Sequence, residues 1–566
     1  MSRLNRRDAC RVISAGVALG AAGFGFPHVA QRAIAAPVEA AFDIYIDSHN
    51  GNDKNDGRHP RRALRSLAAL PHLSNGTKIG LHRGSKFLGG IIAPHARGIL
   101  IGAYGEASAP RPFIGGALPV TNSTFAKTTG RKHIYQVRLP IAAPKGSPIF
   151  IRPYDAGAMF TGYQWNGDLR AKLAYVDTHP NSFAFEHRRD GTGVLYLHTR
   201  DGTAPTANRR AYTATTAIPV MLGDHARVSD IDTADSVHND GSIKVGDFSV
   251  VDSCKMLRGG KHNGIGGWGC LFYECDFEET YYPQGIPTPL VIFRQKGSPT
   301  LAGAVDSWIE NCRFSITKAS APFKFCSFII HHTETGFLGN TIVRNCTFSS
   351  DGTYSVNAIT GADHRGTLIL GGKATNMTRV VDVGGYRSPR CDVVVDGLTV
   401  RQTKAVPGSK FMITTPQVPG SLTVRNCRFC AYGPATGPFI LLTAKKRMVT
   451  TVEKNLFFVG HASANYQGKV FADTGKNKAH HTIHFLHNHI SVANKRAIGA
   501  VMALSKGYVL GRIDHNRYTP KSGRGFTVNG KTTSLGLDEN GAEWRAWSGT
   551  DKHSSWTDGD ASAACR

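Results

Sequence analysis

One short phrase recurs along this chain and limits what it can fold into. Ile309-Glu310-Asn311-Cys312-Arg313-Phe314, Val343-Arg344-Asn345-Cys346-Thr347-Phe348 and Val424-Arg425-Asn426-Cys427-Arg428-Phe429 are near-copies. Looser copies are Val251-Asp252-Ser253-Cys254, Tyr273-Glu274-Cys275-Asp276-Phe277, Val452-Glu453-Lys454-Asn455-Leu456-Phe457, Leu486-His487-Asn488-His489-Ile490 and Ile513-Asp514-His515-Asn516. From Asn311 through Asn345, Asn426, Asn455, Asn488 and Asn516 the steps are 34, 81, 29, 33 and 28 residues, irregular but within the range of solenoid coils. Apolar and polar residues alternate within each copy, the period of a strand. A strand so short buries no face alone, but stacked on its equivalents it builds a continuous core. The expectation is an all-β solenoid, with the repeated Asn side chains stacked at a turn and the repeated Cys and Phe in inward rows.

The chain of 566 residues exceeds one ordinary globular core, a limit that a solenoid escapes. Its 41% hydrophobic and 19% charged residues exclude a disordered chain, and 63 glycines suit a fold with several turns per coil. The net charge is +26, of which residues 1–35 carry +4, leaving +22 (26 less 4) beyond them. Such an excess favours polyanionic partners. Asn5-Arg6-Arg7-Asp8, the weakly apolar run Val12 to Phe26 and Ala33-Ile34-Ala35 read as a twin-arginine type of export signal with a cleavage site. The expected location is therefore periplasmic or secreted, with no membrane span. Basic residues are dispersed, which argues against nucleic acid as the polyanion. Of 11 cysteines, Cys10 lies in the signal, and several others occupy the repeated inward position, so buried thiols are expected over a disulfide framework. Cys427 and Cys430 have no second pair at zinc-ligand spacing.

After residue 35, Phe42-Asp43-Ile44-Tyr45-Ile46-Asp47 alternates as a strand. A loop rich in Gly, Asn and Asp follows, from Gly51 to Gly57, then a helical spacing from Pro60 to Leu70, then the strand Lys78-Ile79-Gly80-Leu81-His82 ending on Arg83-Gly84-Ser85. This order resembles the N-terminal cap and first coil of secreted right-handed parallel β-helix proteins of the pectate-lyase-like type. The tail Glu543-Trp544-Arg545-Ala546-Trp547-Ser548-Gly549-Thr550-Asp551 resembles a capping segment of the same group. The resemblance implies a right-handed parallel β-helix and a polysaccharide lyase or glycosidase. Ser182-Phe183-Ala184-Phe185-Glu186 and Val194-Leu195-Tyr196-Leu197-His198 flank a Gly-containing turn and read as a β-hairpin. The expected division is a signal at 1–35, a cap and first coils at 36–119, an inserted antiparallel β module at 120–215, the β-helix at 216–535 and a capping tail at 536–566.

Equivalent positions on successive coils stack about 4.8 Å apart. Asp240, His262, Arg294, His331 and His364 follow one another at steps of 22, 32, 37 and 33 residues, close to one coil each, and so are expected to line one groove. Lys261 beside His262, His238, Lys296, His332, Glu334 and Arg365 belong to the same row, and Tyr281 and Tyr282 lie in an intervening loop. Cleaving a uronate polymer by β-elimination requires a cation on the carboxylate, a base for the C5 proton and an acid for the leaving oxygen. Lys261, His262, Arg294, His331 and Asp240 are the candidate catalytic residues. His238, Lys296, Tyr281, Tyr282, His332, Glu334, His364 and Arg365 are the candidate substrate-binding residues. A glycosidase on the same scaffold needs two carboxyls, with Asp240, Glu278, Glu279, Asp306 and Glu334 available. The paired Asp-Asp and Gly-His-Gly pattern typical of polygalacturonases is absent, as is the Asp-Pro-His-Asp pattern of alginate epimerases. A non-catalytic carbohydrate-binding protein is the third alternative, with Trp268, Tyr273, Tyr281, Tyr282 and Trp308 available for stacking on sugars. No cofactor is named, and calcium stays open because Asp230, Asp232 and Asp235 are hard oxygen ligands at the alternate spacing that can point side chains one way.

Overall fold

The computed structural model of the chain describes residues 41–120, 125–139, 151–153, 162–163, 168–188, 192–205, 212–215, 217–236, 241–280, 288–294, 305–317, 325–333, 340–353, 355–361, 366–383, 390–404, 406, 412–414, 419–432, 438–443, 447–460, 468–473, 481–492, 498–505, 507–519, 526–528, 531–533, 542–556 and 565. The strands form three long sheets of fourteen strands each. Each coil contributes one strand to each sheet in turn, and the neighbours along a sheet are parallel from coil to coil. The fold is a parallel β-helix. No helix among the described residues is long and apolar enough to cross a membrane.

The repeated phrase marks the corner between the first and second sheets. Strand Val305–Glu310 of the first sheet ends at Asn311, which has a φ of 53°, and Cys312 then turns inward before strand Arg313–Ile316 of the second sheet. The same two-residue corner occurs at Asn345-Cys346 and Asn426-Cys427. Asparagine tolerates the left-handed conformation better than most side chains. Between those copies, Gly371 and Gly397 take the left-handed position with φ of 65° and 74°. The 81-residue gap is thus filled by two coils that turn on glycine. At Gly372, in the inward position, a Cβ would stand 2.3 Å from the Cys346 carbonyl oxygen, so nothing larger fits there.

In the looser copies the asparagines occupy a different place from that expected. Lys454, His487 and His515 take the left-handed position, and Asn455, Asn488 and Asn516 stand where the earlier coils have cysteine. The chemistry explains the exchange. The Cys427 thiol donates to the Val395 carbonyl of the preceding coil at 3.6 Å, as Cys254, Cys275, Cys312 and Cys346 do to Val228, Val251, Phe272 and Ile309. The Asn455, Asn488 and Asn516 amides donate to the equivalent carbonyls of Val424, Val452 and Phe485, each at 2.9 Å. Their Oδ1 atoms accept from the backbone N–H of Cys427, Asn455 and Asn488. The stacked-amide ladder therefore exists, but only from residue 455 onward and inside the corner.

Phenylalanines follow the corner as inward rows. Phe277, Phe314 and Phe348 stack at 4.6 and 5.2 Å between ring centres, and Phe429 stacks on Phe457 at 5.0 Å. Among the described residues eight thiols are free and buried, and one disulfide, Cys430–Cys565, ties the tail to a mid-helix coil. At the C-terminal end, helix Ala542–Ser548 lays the buried Trp544 on Phe526 at 3.8 Å. Asp551 collects the hydroxyl of Tyr518 at 3.0 Å and the indole N–H of Trp544 at 3.1 Å, and burial pushes its carboxyl up. At the other end, the expected helix from Pro60 to Leu70 is two 3-10 turns, Pro60–Arg62 and Leu67–Ala69. Between them Leu64 bridges to Ile46 and is buried, and the backbone extends to let it in.

Two small sheets lie between the coil strands Phe113–Gly115 and Val220–Leu222, antiparallel except where Gly162–Tyr163 runs parallel to Ser182–His187. The larger contains the hairpin Ser182–His187 with Gly193–His198. A helix, Leu169–Thr178, packs on it, its N-terminus capped by the Asp168 carboxylate on the Ala171 N–H. Ile134, Val176, Ala184, Val194 and Tyr196 form a small core of their own.

Two expectations follow. Asn488→Ala strands the Val452 carbonyl and the Asn455 N–H and destabilises the fold by about 2–4 kcal/mol. Asn488→Cys restores the donor alone and falls between Ala and the native residue in urea unfolding, whereas equal losses for both would contradict the exchange rule. His481 is buried with Nε2 2.7 Å from the Thr450 hydroxyl, and burial lowers its pKa to about 4. Because this folded value lies below the ordinary one, its stabilisation is complete above pH ~6.5 and is lost as pH falls toward 4, by up to roughly 3 kcal/mol. Unfolding free energy measured across that window should flatten in His481→Gln.

Candidate functional surface

Of the residues expected in the groove, Asp240, His238, Tyr281, Tyr282, Lys296, Glu334, His364 and Arg365 lie outside the described residues. The others are on or next to the third sheet, at its two edges. Lys261 and His262 precede strand Gly264–Gly266, whose first residue is level with Leu290 on the next strand, Leu290–Arg294. Arg294 ends that strand four residues later, about 13 Å along it. Lys261 and Arg294 therefore flank opposite edges, which a spacing of one coil per residue cannot reveal.

At the trailing edge three of the expected residues lie on two neighbouring strands. Strand Phe325–Thr333 runs beside Leu290–Arg294, with Arg294 level with Thr333, His332 with Phe293 and His331 with Ile292. Arg294 and His331 are thus on adjacent coils but two residues out of step.

His262 does not face a groove. It is 4% exposed, and its Nδ1 lies 2.9 Å from the Thr288 carbonyl oxygen. Beside it, the buried Asn263 accepts the Gly259 N–H at 2.6 Å and donates to the Glu278 carbonyl at 3.0 Å. Both side chains satisfy backbone groups where the chain passes between sheets. The outward row next to them is also covered: Ile265 and Val291 are in register on the outer face, yet 5% and 0% exposed.

The carboxylates that suggested calcium are held by arginines. Asp230 pairs with Arg83 and Arg111, and Asp232 with Arg111 at 3.4 Å. Asp235 makes a two-pronged pair with Arg258 at 2.9 and 3.0 Å. Burial raises the pKa of Asp230 and Asp232 against the pull of those guanidiniums. Similar pairs continue from coil to coil: Asp252 with Arg227 at 3.0 Å, Glu278 with Lys255 at 2.9 Å, Asp276 with Arg313 at 2.7 Å and Glu310 with Arg344 at 3.6 Å. Glu278, a candidate acid for glycoside hydrolysis, is committed in this way.

Farther along, the second sheet carries cations that the sequence reading passed over. The outward residue between the inward Cys and Phe of the phrase runs in register as Lys373, Thr399, Arg428, Leu456, His489 and Arg517. Lys373 and Arg428 are exposed and have no ion pair among the described residues. Next to them the exposed Arg401 lies over the Tyr432 ring at 5.3 Å. The signal was the fifth position of the phrase, Arg428 in one copy, but its charge mattered only once the coils were stacked.

No protein-family model and no curated protein matches the chain. Among solved structures, the chain is similar to XylC in complex with xylose, at 10% identity and a TM-score of 0.40, covering 91% of this chain and 85% of that one. It is also similar to a GH136 lacto-N-biosidase from Eubacterium ramulus, at 10% identity and a TM-score of 0.32 over 84% and 67% of the two chains. A third is the tailspike gp61 of Pseudomonas phage phi297, at 12% identity and a TM-score of 0.30 over 80% and 71%.

The burial of His262 sets an outcome. His262→Ala lowers unfolding stability by about 1–3 kcal/mol through the lost Thr288 contact. If stability is unchanged while activity disappears, a catalytic role returns.

Proposed function

We propose that this protein acts outside the cytoplasm on an acidic polysaccharide and cleaves it by β-elimination. The observation that carries the reading is how charge is distributed around the coils between residues 230 and 333. Asp230, Asp232, Asp235, Asp252, Asp276, Glu278 and Glu310 each face a cation. Arg294, His331 and His332 come from two adjacent strands at one sheet edge. Hydrolysis of a glycosidic bond by the usual route needs two carboxyls free to act. Elimination needs cations and proton carriers, which this edge supplies. In the mechanism, Arg294 holds the uronate carboxylate and so makes the C5 proton more acidic. His331 or His332 takes that proton, the C5–H electron pair becomes the C4–C5 double bond, the C4–oxygen bond breaks, and the same imidazolium returns the proton to the leaving oxygen. Lys261, at the opposite edge, has no part in this step.

A second reading is a binding protein without turnover, and the cations Lys373, Arg401 and Arg428 on three successive coils favour it. Cations repeated from coil to coil suit a linear polyanion.

Incubation with a panel of uronate polymers, following the ultraviolet absorbance of an unsaturated product and reducing ends in parallel, tests the first reading. Both signals should rise together, and Arg294→Ala should cut the rate by at least about a hundredfold. Reducing ends without absorbance would mean hydrolysis. Polymer retention without either signal, weakened in Lys373→Glu with Arg428→Glu, would leave the binding reading.

A further inference from the structure

At the C-terminal end of the helix, the left-handed corner position passes from asparagine to histidine. His487 and His515 occupy it on successive coils, and His553 from the tail continues the stack. The three imidazoles are nearly parallel, with ring centres 4.8 and 4.9 Å apart. Asp514 stands beside them. Its Oδ2 is 2.7 Å from Nδ1 of His553 and 3.8 Å from Nε2 of His515, and its Oδ1 accepts the N–H of both residues at 2.7 and 3.0 Å. One ligand atom from each of Asp514, His515 and His553 lies within 4.8 Å of the others.

We propose that Asp514, His515 and His553 bind a divalent transition-metal ion of the zinc type, which fastens the C-terminal tail to the last coil. Imidazole nitrogen with one carboxylate oxygen is a donor set suited to zinc, whereas calcium takes oxygen alone. Metal–ligand bonds of about 2.1 Å in a tetrahedron set neighbouring ligand atoms about 3.4 Å apart. The two distances to Asp514 Oδ2 bracket that value. The side chains of His515 and His553 are 50% and 65% exposed, so their rings can rotate to converge without disturbing the core. Asp514 closes the last first-sheet strand, Tyr508–Asp514, whereas His553 precedes the tail strand Ser555–Trp556. A metal bound to both therefore bridges two segments that only hydrogen bonds and packing otherwise join here.

The test uses the full chain freed of metal with a chelator and titrated with zinc chloride alone. One ion should bind per chain, the unfolding temperature should rise, and proteolysis within residues 549–566 should slow. Calcium chloride should do none of these. His515→Ala should weaken zinc binding by more than about tenfold while leaving the metal-free unfolding temperature near its native value. Asp514→Asn should weaken binding as well, whether or not it destabilises the tail. Absence of zinc binding, or binding with undiminished affinity in both variants, overturns the proposal.

Discussion

Each coil must turn from its first strand to its second in two residues, and that turn leaves a carbonyl of the preceding coil pointing into the core. A buried carbonyl without a donor costs about as much as several good packing contacts. On eight coils the inward residue of the corner supplies the donor. A cysteine thiol does so on five coils, and an asparagine amide on three. Asparagine does more than cysteine, because its oxygen also accepts the backbone N–H one coil back. The change from cysteine to asparagine therefore knits the C-terminal coils into a hydrogen-bonded column that ends on Asp551 and Ser554 in the tail.

Stacking constrains the surface as firmly as the core. Outward residues at one position repeat about every 4.8 Å, a distance at which like charges repel and opposite charges attract. The N-terminal coils resolve this by alternating sign, as in Asp276 with Arg313 and Glu310 with Arg344. Past Thr347 the row that holds Asp276 and Arg313 runs on through Lys373, Thr399, Arg428, Leu456, His489 and Arg517 without another acidic residue, and the end of the helix stacks histidine on histidine. Such unbalanced stretches are where the proposed polyanion and metal ion would relieve the repulsion. The basic surplus is therefore a local feature of particular faces, beyond its general effect on solubility.

Much of the architecture was legible because a repeat of strand period has few other ways to bury itself. The corner phrase, the buried thiols and the hairpin at 182–198 all carried local signals. The asparagine register was misread because Asn311 and Asn455 look alike in sequence while serving different needs. One relieves backbone strain outside the corner, and the other completes hydrogen bonds within it. The gap between Asn345 and Asn426 hid two coils because glycine meets the same backbone requirement with no side chain to match. The groove was the least legible part. A spacing of one coil shows that residues are on neighbouring turns, but not at which edge of a strand they lie. That ambiguity merged Lys261 with Arg294 and placed the buried His262 in solvent.

The sequence by itself determined the all-β coil, its inward rows and its excess of positive charge, because these depend on local alternation and on composition. Only the tertiary structure decided which side chains meet. Asp276 with Arg313, Asp230 with Arg83 and Arg111, and Asp514 with His553 are distant in sequence. Their approach depends on loop lengths that differ from coil to coil and on which strand edge each loop leaves. A one-residue difference in either moves a side chain to the other face of the sheet.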